Sequence, residues 1–495
     1  MSQTEFDVLV VGGGNAALTA ALSAQEQGGK ILLIEKSPKI NRGGNSAFSG
    51  GLFRTVCNGK KEVLDFIPDI SETSLESYVI PKYTEDDYYT DIMRSTLGRA
   101  DPELSQIIVS QSNPTLKWMT LLGVKFELMV GSPSVRKGDI LYFEPGVFLQ
   151  AKGAGLGLVN QLFDILEKRN ISILYETKMV KLILDGKGKV CGAKLLSKDG
   201  FKNVSCGAVI LACGGFSANP EMRTKYLGQG WDIVKVRGSR FNTGEGLQAA
   251  LEIGAQPAGQ WSGCHCSIQD ANSPNLEIDK IAGSGSRYSY QWSIMVNMHG
   301  QRFIDEGEDL VGLTYAKFGK HVLEQDGGIA YQIFDDKVKD LLMQEYQTHS
   351  APIEADSVDE LAEKIDLDSD TLGESIRLFN SSVRQDIVFD PTTKDGKHTQ
   401  GISPRKSNWA QKIDVLPLTA YAVTGAITFT FGGINVNKRA QVINTEGNVI
   451  SGLFATGELS GFYFHNYPGA SGLMRGAIFG RIAGINAAAK TVAPS

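Results

Sequence analysis

The chain has 495 residues, 42% hydrophobic and 21% charged, with 49 basic against 55 acidic side chains and a formal net charge of −6. That length points to two or three domains, because single hydrophobic cores stop growing near about 250–300 residues. The balance of charge, without a clustered basic surface, excludes a nucleic-acid footprint, and no run of roughly 18 apolar residues exists to form an integral membrane segment. Six cysteines at irregular positions make no disulfide framework, and the N-terminal apolar stretch lacks the basic flank of a signal peptide. A reducing, cytoplasmic setting is the expectation.

Phe6–Val11 is apolar throughout and predicts a buried strand, Asn15–Gln27 an alanine-rich helix, and Lys30–Glu35 a second strand. Together they make a βαβ unit. Residues 41–51 form a glycine-rich loop. Residues 84–127 predict helix, with Leu104, Ile107, Ile108, Trp118, Met119 and Leu122 as its apolar positions, and Leu156–Arg169 predicts an amphipathic helix. Ile171–Tyr175, Met179–Leu184 and Val190–Leu195 predict strands, the last two joined by the turn Asp185-Gly186-Lys187-Gly188. Ala208–Cys213 is an apolar run ending in Gly214-Gly215, the pattern of a central parallel strand. Residues 265–425 are more polar and aromatic, with acidic helices around 335–385 and a Pro/Lys/Gly-rich loop at 390–407. Gly452–Thr456 returns to a core strand, and Leu473–Lys490 closes the chain as a helix. The expected organisation is α/β: a dinucleotide-binding domain assembled from 1–263 and 426–495, with an α+β capping domain, 264–425, inserted on the substrate side.

Glycine is in excess, 56 of 495 residues or about 11% against a usual ~7%, and it is clustered, with groups at 12–14, 43–51, 283–285 and 469–484 among others. The first group, Gly12-Gly13-Gly14-Asn15-Ala16-Ala17, fits the dinucleotide fingerprint with alanine in its third small position. Gly12 permits the tight turn, Gly14 lets backbone approach a diphosphate, and Ala17 lets the helix pack on its strand. The helix N-terminus at Asn15 and Ala16 offers unpaired N–H groups to that diphosphate. Glu35, followed by Lys36, ends the second strand where an adenosine ribose is hydrogen-bonded. NAD and FAD would both suit this turn.

Further motifs favour FAD: Arg42-Gly43-Gly44-Asn45-Ser46 with Ser49-Gly50-Gly51, then Ala212-Cys213-Gly214-Gly215, then Gly452-Leu453-Phe454-Ala455-Thr456-Gly457-Glu458. With them the chain resembles the flavoprotein family of succinate dehydrogenase, fumarate reductase and 3-ketosteroid dehydrogenase. The resemblance implies a Rossmann-like domain of the glutathione-reductase type. It implies a first loop along the flavin ring, a second motif past the diphosphate and a third beside the ribityl chain, with further contacts at Val180 and Gly244. Some members attach flavin through a histidine in the loop matching 43–51; here that loop reads GGNSAFSGG, so FAD is expected to be non-covalent. In the closing helix Gly472, Gly476, Gly480 and Gly484 recur every fourth residue and share one face, at about 1 kcal/mol of helix propensity each. Such a stripe predicts close approach to the sheet or to the cofactor. The helix N-terminus at Ser471, Gly472 and Leu473 would aim its dipole at the flavin pyrimidine.

Within that family the stretches VVGGGNAAL, VRGSRFNTGEGL, WSGCH, TYAKFG, KSNWA and FHNYPGASGL are most similar to tricarballylate dehydrogenase and the related flavoprotein of precorrin-3B synthase. Departures from fumarate reductase are pointed: Leu310 stands where its acid arginine follows a glutamate matching Glu306, Tyr467 replaces its carboxylate-binding arginine, and Phe429-Thr430-Phe431-Gly432-Gly433 replaces a histidine-containing motif. Tyr467-Pro468-Gly469 looks instead like the 3-ketosteroid dehydrogenase motif. The chemistry implied is α,β-desaturation, in which a base takes the α-proton while the β-hydride goes to flavin N5. Tyr467 is the expected donor to the substrate carbonyl, His265 a substrate-orienting group, and Tyr315 a candidate base.

Other readings accompany these. Arg302, Asp305 and Glu306 suit an ion pair closing the cap as well as catalysis, and Arg237, Arg240 and Arg287 are candidate carboxylate partners, Arg240 also for the flavin. Cys264-His265-Cys266 reads as core thiols, not a metal site. No haem or iron–sulfur cysteine run and no second dinucleotide fingerprint occur, so electrons are expected to leave to oxygen, a quinone or a redox protein. The substrate is expected to be a small carboxylate or ketone. The alternatives are an ene-reductase run in reverse and a flavin electron-transfer subunit.

Overall fold

The computed structural model describes residues 5–131, 133–274, 285–348 and 352–489. The predicted end of the closing helix at Lys490, and Gly283 of the 283–285 cluster, lie outside them. Phe6–Val11 (β1), Asn15–Glu26 (α1) and Ile31–Ile34 (β2) form the βαβ unit. All four residues of β2 are buried, as a strand covered on both faces must be. The helix predicted over 84–127 is two helices, Glu85–Ser95 (α2) and Pro102–Leu122 (α3), followed by a short strand, Phe126–Leu128. Start signals at both explain the break: Thr84 and Asp87 make a capping box, and Asp101 caps a helix with Pro102 in its first turn.

Ala154–Lys168 (α4) leads into Ser172–Leu174 (β3), the hairpin Lys178–Leu184 (β4) and Val190–Ser197 (β5), and the long strand Gly200–Leu211 (β6). The first part of β6 pairs antiparallel with β5, while its apolar second half pairs parallel with β1.

A second, six-stranded sheet holds Lys235–Val236 (β7), Cys264–Asp270 (β8), Ile294–Asn297 (β9), Ile329–Phe334 (β10), Ile353–Ala355 (β11) and Leu418–Thr430 (β12). Its spine is β12, antiparallel to β8 and β10. Because β7 joins it and β12 runs to Thr430, this sheet takes residues from both sides of the expected 264–425 limits. Tyr315–Leu323 (α5) packs on β8 and β12. The acidic segment contains Val358–Lys364 and Ser369–Ser382 as helices.

The chain then returns to the first sheet through Gln441–Ile443 (β13) and Val449–Ala455 (β14), and ends in Ser471–Ala489 (α6). The parallel order is β3–β2–β1–β6–β14. Helix α6 lies against α1 at backbone contact: a Cβ on Gly480 would sit 2.6 Å from the Ala16 carbonyl oxygen, and one on Gly484 2.4 Å from that of Ala20. Among the described residues no helix is long and apolar enough to cross a membrane.

Candidate active site

The segments that follow β1, β2, β6 and β14 converge at the carboxyl ends of the parallel strands, where open α/β sheets bind their ligands. They form one wall of a cavity of about 520 Å³, and the second sheet supplies the opposite wall. Gly12, Gly14, Asn15 and Ala16 follow β1, Glu35 and Lys36 follow β2, Ala212 and Gly214 follow β6, and Gly457 and Glu458 follow β14; all line the cavity. Gly44, Asn45, Ser46, Ser49 and Gly50 line it from the glycine-rich loop, and Gly472 and Leu473 from the start of α6.

Gly12 has φ +117°, and a Cβ there would meet the Ala212 carbonyl oxygen at 2.4 Å, so only glycine serves. The Ser46 hydroxyl accepts from Asn15 N at 3.0 Å, and Asn15 Nδ2 donates to the Leu473 carbonyl at 2.8 Å. The N-terminal ends of α1 and α6 are thereby tied side by side on the cavity wall. Glu35 is buried and accepts from Ser37 N at 2.7 Å; burial raises its carboxyl above the ordinary range, against the pull of Ser37 and Lys36. Glu458 is raised by burial too, although Thr430 N, at 2.8 Å, and Asn242 Nδ2, at 3.1 Å, favour its charged form. Lys36 pairs with Glu245 at 2.8 Å and donates to Thr243.

These residues fit an extended dinucleotide. Asn15 Oδ1, Asn242 Oδ1 and Thr428 Oγ1 are buried without a hydrogen-bond partner, and their residues all line the cavity. A row of orphaned polar atoms along one cavity is what a polar ligand satisfies. Replacing Glu35 by alanine is therefore expected to weaken FAD binding by roughly 10- to 100-fold, the worth of a hydrogen bond to a charged acceptor. Titration of apoprotein with FAD, followed by flavin fluorescence, checks it.

Six of the expected flavin residues are not on the cavity wall. Arg42 pairs with Glu167 at 3.0 Å and stacks over Phe163 at 4.2 Å. A Cβ on Gly43 would meet Val159, one on Gly51 the Ala154 backbone, and one on Gly244 Met222, so these glycines serve packing. The Ser471 hydroxyl donates to the Pro468 carbonyl. Val180 is 38% exposed on β4, while Thr177, Lys178 and Met179 beside it do line the cavity.

At the far end of the cavity stand three rings. His265 lies with its centroid 5.0 Å from Tyr315 and 5.2 Å from Tyr467, and the hydroxyls of the two tyrosines are hydrogen-bonded to each other. Phe429, opposite His265 across β8 and β12, closes the group at 5.3 Å. The pairing register slips between His265 and Cys266, where Thr428 of β12 is the extra residue of a bulge, and both His265 and Cys266 are buried. Neither ring nitrogen of His265 has a partner among the described residues. Burial, with Arg237 adding to it, lowers His265 well below the usual histidine range, so the ring is neutral at neutral pH. Burial pushes Tyr315 up to about 12 even though Tyr467 opposes the shift, and burial raises Tyr467 well above the usual tyrosine range as well.

A histidine that cannot take its proton when folded destabilises the native state in acid. As pH falls below the unfolded value of about 6.5, the unfolded chain binds the proton and the folded chain does not. Denaturant unfolding at a series of pH values should show stability falling below that point, with a shallower fall in His265→Phe.

Among the candidate arginines, Arg237 lines the cavity, Arg240 is exposed over Phe241, and Arg287 is held by Asp270 at 2.5 Å. Glu306 forms a buried pair with Arg302 at 2.5 Å and accepts from Met295 N, and Asp305 accepts from Ser407 N, so this turn is an anchor within the second sheet's domain. Sequence reasoning passed over Asn242, which lines the cavity, although it stands inside RGSRFNTGEG beside residues it did choose. It also missed Tyr288, Met343 and Glu345, which reach the cavity wall only through folding of the second sheet's domain.

A parallel sheet with its glycine turn, acid and orphaned polar atoms on one cavity defines a dinucleotide-binding protein. Residues 7–473 match the model of the FAD binding domain family. The chain belongs to that family of FAD-dependent oxidoreductases. It is 30% identical to a fumarate reductase (cytochrome) of Shewanella frigidimarina, over 97% of this chain and 77% of that one. It is 27% identical to an NADH:acrylate oxidoreductase of Vibrio harveyi over 97% of its length, and spans 50% of that relative. Its fold matches that of a 3-ketosteroid delta1-dehydrogenase from Sterolibacterium denitrificans with a TM-score of 0.73 at 20% identity, covering 98% of this chain and 99% of the other.

Proposed function

We propose that the protein is a flavin-dependent dehydrogenase that introduces a carbon–carbon double bond next to the carbonyl or carboxylate of a small substrate. The observation that carries this reading is the hydrogen-bonded Tyr315–Tyr467 pair beside a buried, neutral His265 at one end of the cavity.

FAD fits the rest of the cavity, with Glu35 and the 177–179 backbone toward the adenosine, Gly12, Gly14 and Asn15 toward the diphosphate, and Asn45, Ser46 and Glu458 toward the flavin end. The absence of histidine in the 43–51 loop supports non-covalent binding. When bound, FAD supplies an acceptor for the β-hydride. The Tyr467 hydroxyl donates to the substrate's carbonyl oxygen and offsets the charge that builds there. Tyr315 Oη, once it has lost its own proton to solvent, receives the α-proton. His265 orients the substrate through a ring nitrogen, while Phe429 and Tyr288 keep water away. The N–H groups of Gly472 and Leu473, at the positive end of α6 and beside the Tyr467 ring, favour negative charge there.

We read the first sheet as a Rossmann-like domain of the glutathione-reductase type, and the second as a cap over its substrate end. Oxygen, a quinone or a redox protein would receive the electrons, and the enzyme would work in the cytoplasm. A second reading, reduction of an activated double bond, is supported by Arg237 on the cavity wall close to His265 and Tyr315, a cation suited to one carboxylate.

Anaerobic mixing of the FAD-loaded protein with tricarballylate and, separately, with a 3-keto-4-ene steroid tests the proposal. Loss of visible flavin absorbance with either supports dehydrogenation and selects the substrate class. If neither bleaches a flavin that dithionite still reduces, the dehydrogenase reading fails for both classes.

A further inference from the structure

Behind the two tyrosines lies a pair of buried charges that the proposed chemistry does not use. Arg54 is 2% exposed. Its Nε donates to the Gly469 carbonyl at 2.7 Å, and its Nη1 donates to Tyr83 Oη at 3.0 Å and to Asp91 at 3.3 Å. Its backbone N donates to the Ala470 carbonyl at 3.1 Å. Glu144, also buried, accepts from Gly312 N at 3.2 Å. A Cβ on Gly312 would lie 2.4 Å from Glu144 Oε2 and 3.2 Å from Arg54 Nη2, so the two charges converge on that residue.

Gly312 and Gly469 belong to the two segments that carry the tyrosines. Gly469 N donates to the Gly312 carbonyl at 2.6 Å, and a Cβ on Gly469 would come within 2.8 Å of Tyr315 Cε1. Arg54 thus grips the segment ending in Gly469 and Ala470, Glu144 grips the segment leading to Tyr315, and one backbone hydrogen bond joins the two. Gly312, Gly469 and Ala470 all line the cavity. For packing alone, buried charged side chains are commonly no better than apolar ones of the same volume, so two of them converging on one backbone residue call for another role.

We propose that Arg54 and Glu144 are positioning residues that set the register between Tyr315 and Tyr467, and that the charge on Glu144 adjusts it. The tyrosines' role rests on the function proposed above; the mechanical coupling rests on the contacts alone. Arg54, Asp91, Asp309 and Tyr290 are the charged and titratable groups that face Glu144. Burial pushes its carboxyl up to about 7, against the pull of Arg54 and the Gly312 N–H, with Asp309 and Asp91 adding to the rise. Glu144 therefore gains its charge near neutral pH, and with it a stronger hold on Gly312 N and Arg54.

The test uses the FAD-loaded full chain as wild type, Glu144→Gln and Arg54→Lys. Glutamine keeps the shape and the acceptor oxygen but carries no charge at any pH. Lysine keeps the charge but loses the planar fork that reaches Gly469 and Tyr83 together. Visible circular dichroism of the bound flavin, followed from about pH 5.5 to 9, spans the titration. Wild type is expected to show a transition near neutrality that Glu144→Gln lacks at equal flavin content. With whichever compound bleaches the flavin, Arg54→Lys is expected to lower kcat tenfold or more with KM changed by less than about threefold, the split of a misplaced reacting group. A transition retained in Glu144→Gln overturns the proposal, and so does an Arg54→Lys effect confined to KM. The dichroism stands without any substrate, so failure to find one would sink the dehydrogenase reading and leave this test intact.

Discussion

Replacing Tyr467 by phenylalanine is expected to slow flavin reduction by substrate roughly 100- to 1,000-fold, the usual cost of removing one donor to a developing oxyanion. The ring itself stays packed, with Phe429 at 5.1 Å and Tyr463 at 5.2 Å, so the loss belongs to the hydroxyl. Stopped-flow bleaching should show the rate constant falling while half-saturation changes little, because donation to the oxygen strengthens mainly in the transition state. Tyr315→Phe is expected to lose a similar factor, and the double variant little more, since the two hydroxyls share one hydrogen bond. The wild-type rate carries its own signature. A phenol pushed up to about 12 serves as a base only after losing its proton, and that fraction grows tenfold per pH unit below this value. The rate should therefore climb through alkaline pH, and the climb should vanish in Tyr315→Phe. A flat alkaline profile would assign the proton to another group.

The second large effect separates two roles within one glycine stripe. Gly480→Ala is expected to destabilise the fold by about 1–3 kcal/mol or more, despite the better helix propensity of alanine. The new methyl would lie 2.3 Å from Thr19 Oγ1 and 2.6 Å from the Ala16 carbonyl, so α1 and α6 must part. Because α1 begins at the glycine turn on the cavity wall, flavin retention should fall together with stability. Gly472→Ala differs: its nearest neighbour would be Tyr467 Cε2 at 3.9 Å, an ordinary contact. The unfolding midpoint should hold, while FAD affinity or the flavin reduction potential shifts, because the methyl enters the cavity. Equal loss of stability in both variants would mean that the stripe is packing along its whole length.

The N-terminal βαβ unit, the apolar run of β6 and the return to the sheet at β14 were readable from the chain alone, because each is a local pattern of apolar residues bounded by glycine. The glycine turn and Glu35, which line the cavity, follow from turn geometry and an acid after a strand, both local requirements, whereas Asn45, Ser46 and Glu458, which line it too, were legible through motifs shared with a family. The break between α2 and α3 was legible in the capping residues Thr84 and Asp101 and in Pro102, but apolar spacing alone ran across it.

What the tertiary structure decided is the far wall of the cavity. Sequence spacing cannot bring Tyr315 to Tyr467, 152 residues away, or tell that Arg237 lines the cavity while Arg287 is held by Asp270. The stripe in α6 shows the same division. Its close approach was readable from glycines in register, whereas the partner of Gly476, Gly480 and Gly484 is helix α1 and Gly472 instead lines the cavity, a division that only the assembled fold determines. Local patterns encode which backbone conformations and which buried faces are favourable. Which buried face meets which depends on the whole chain closing at once, and the rings of His265, Tyr315 and Tyr467 meet at that junction.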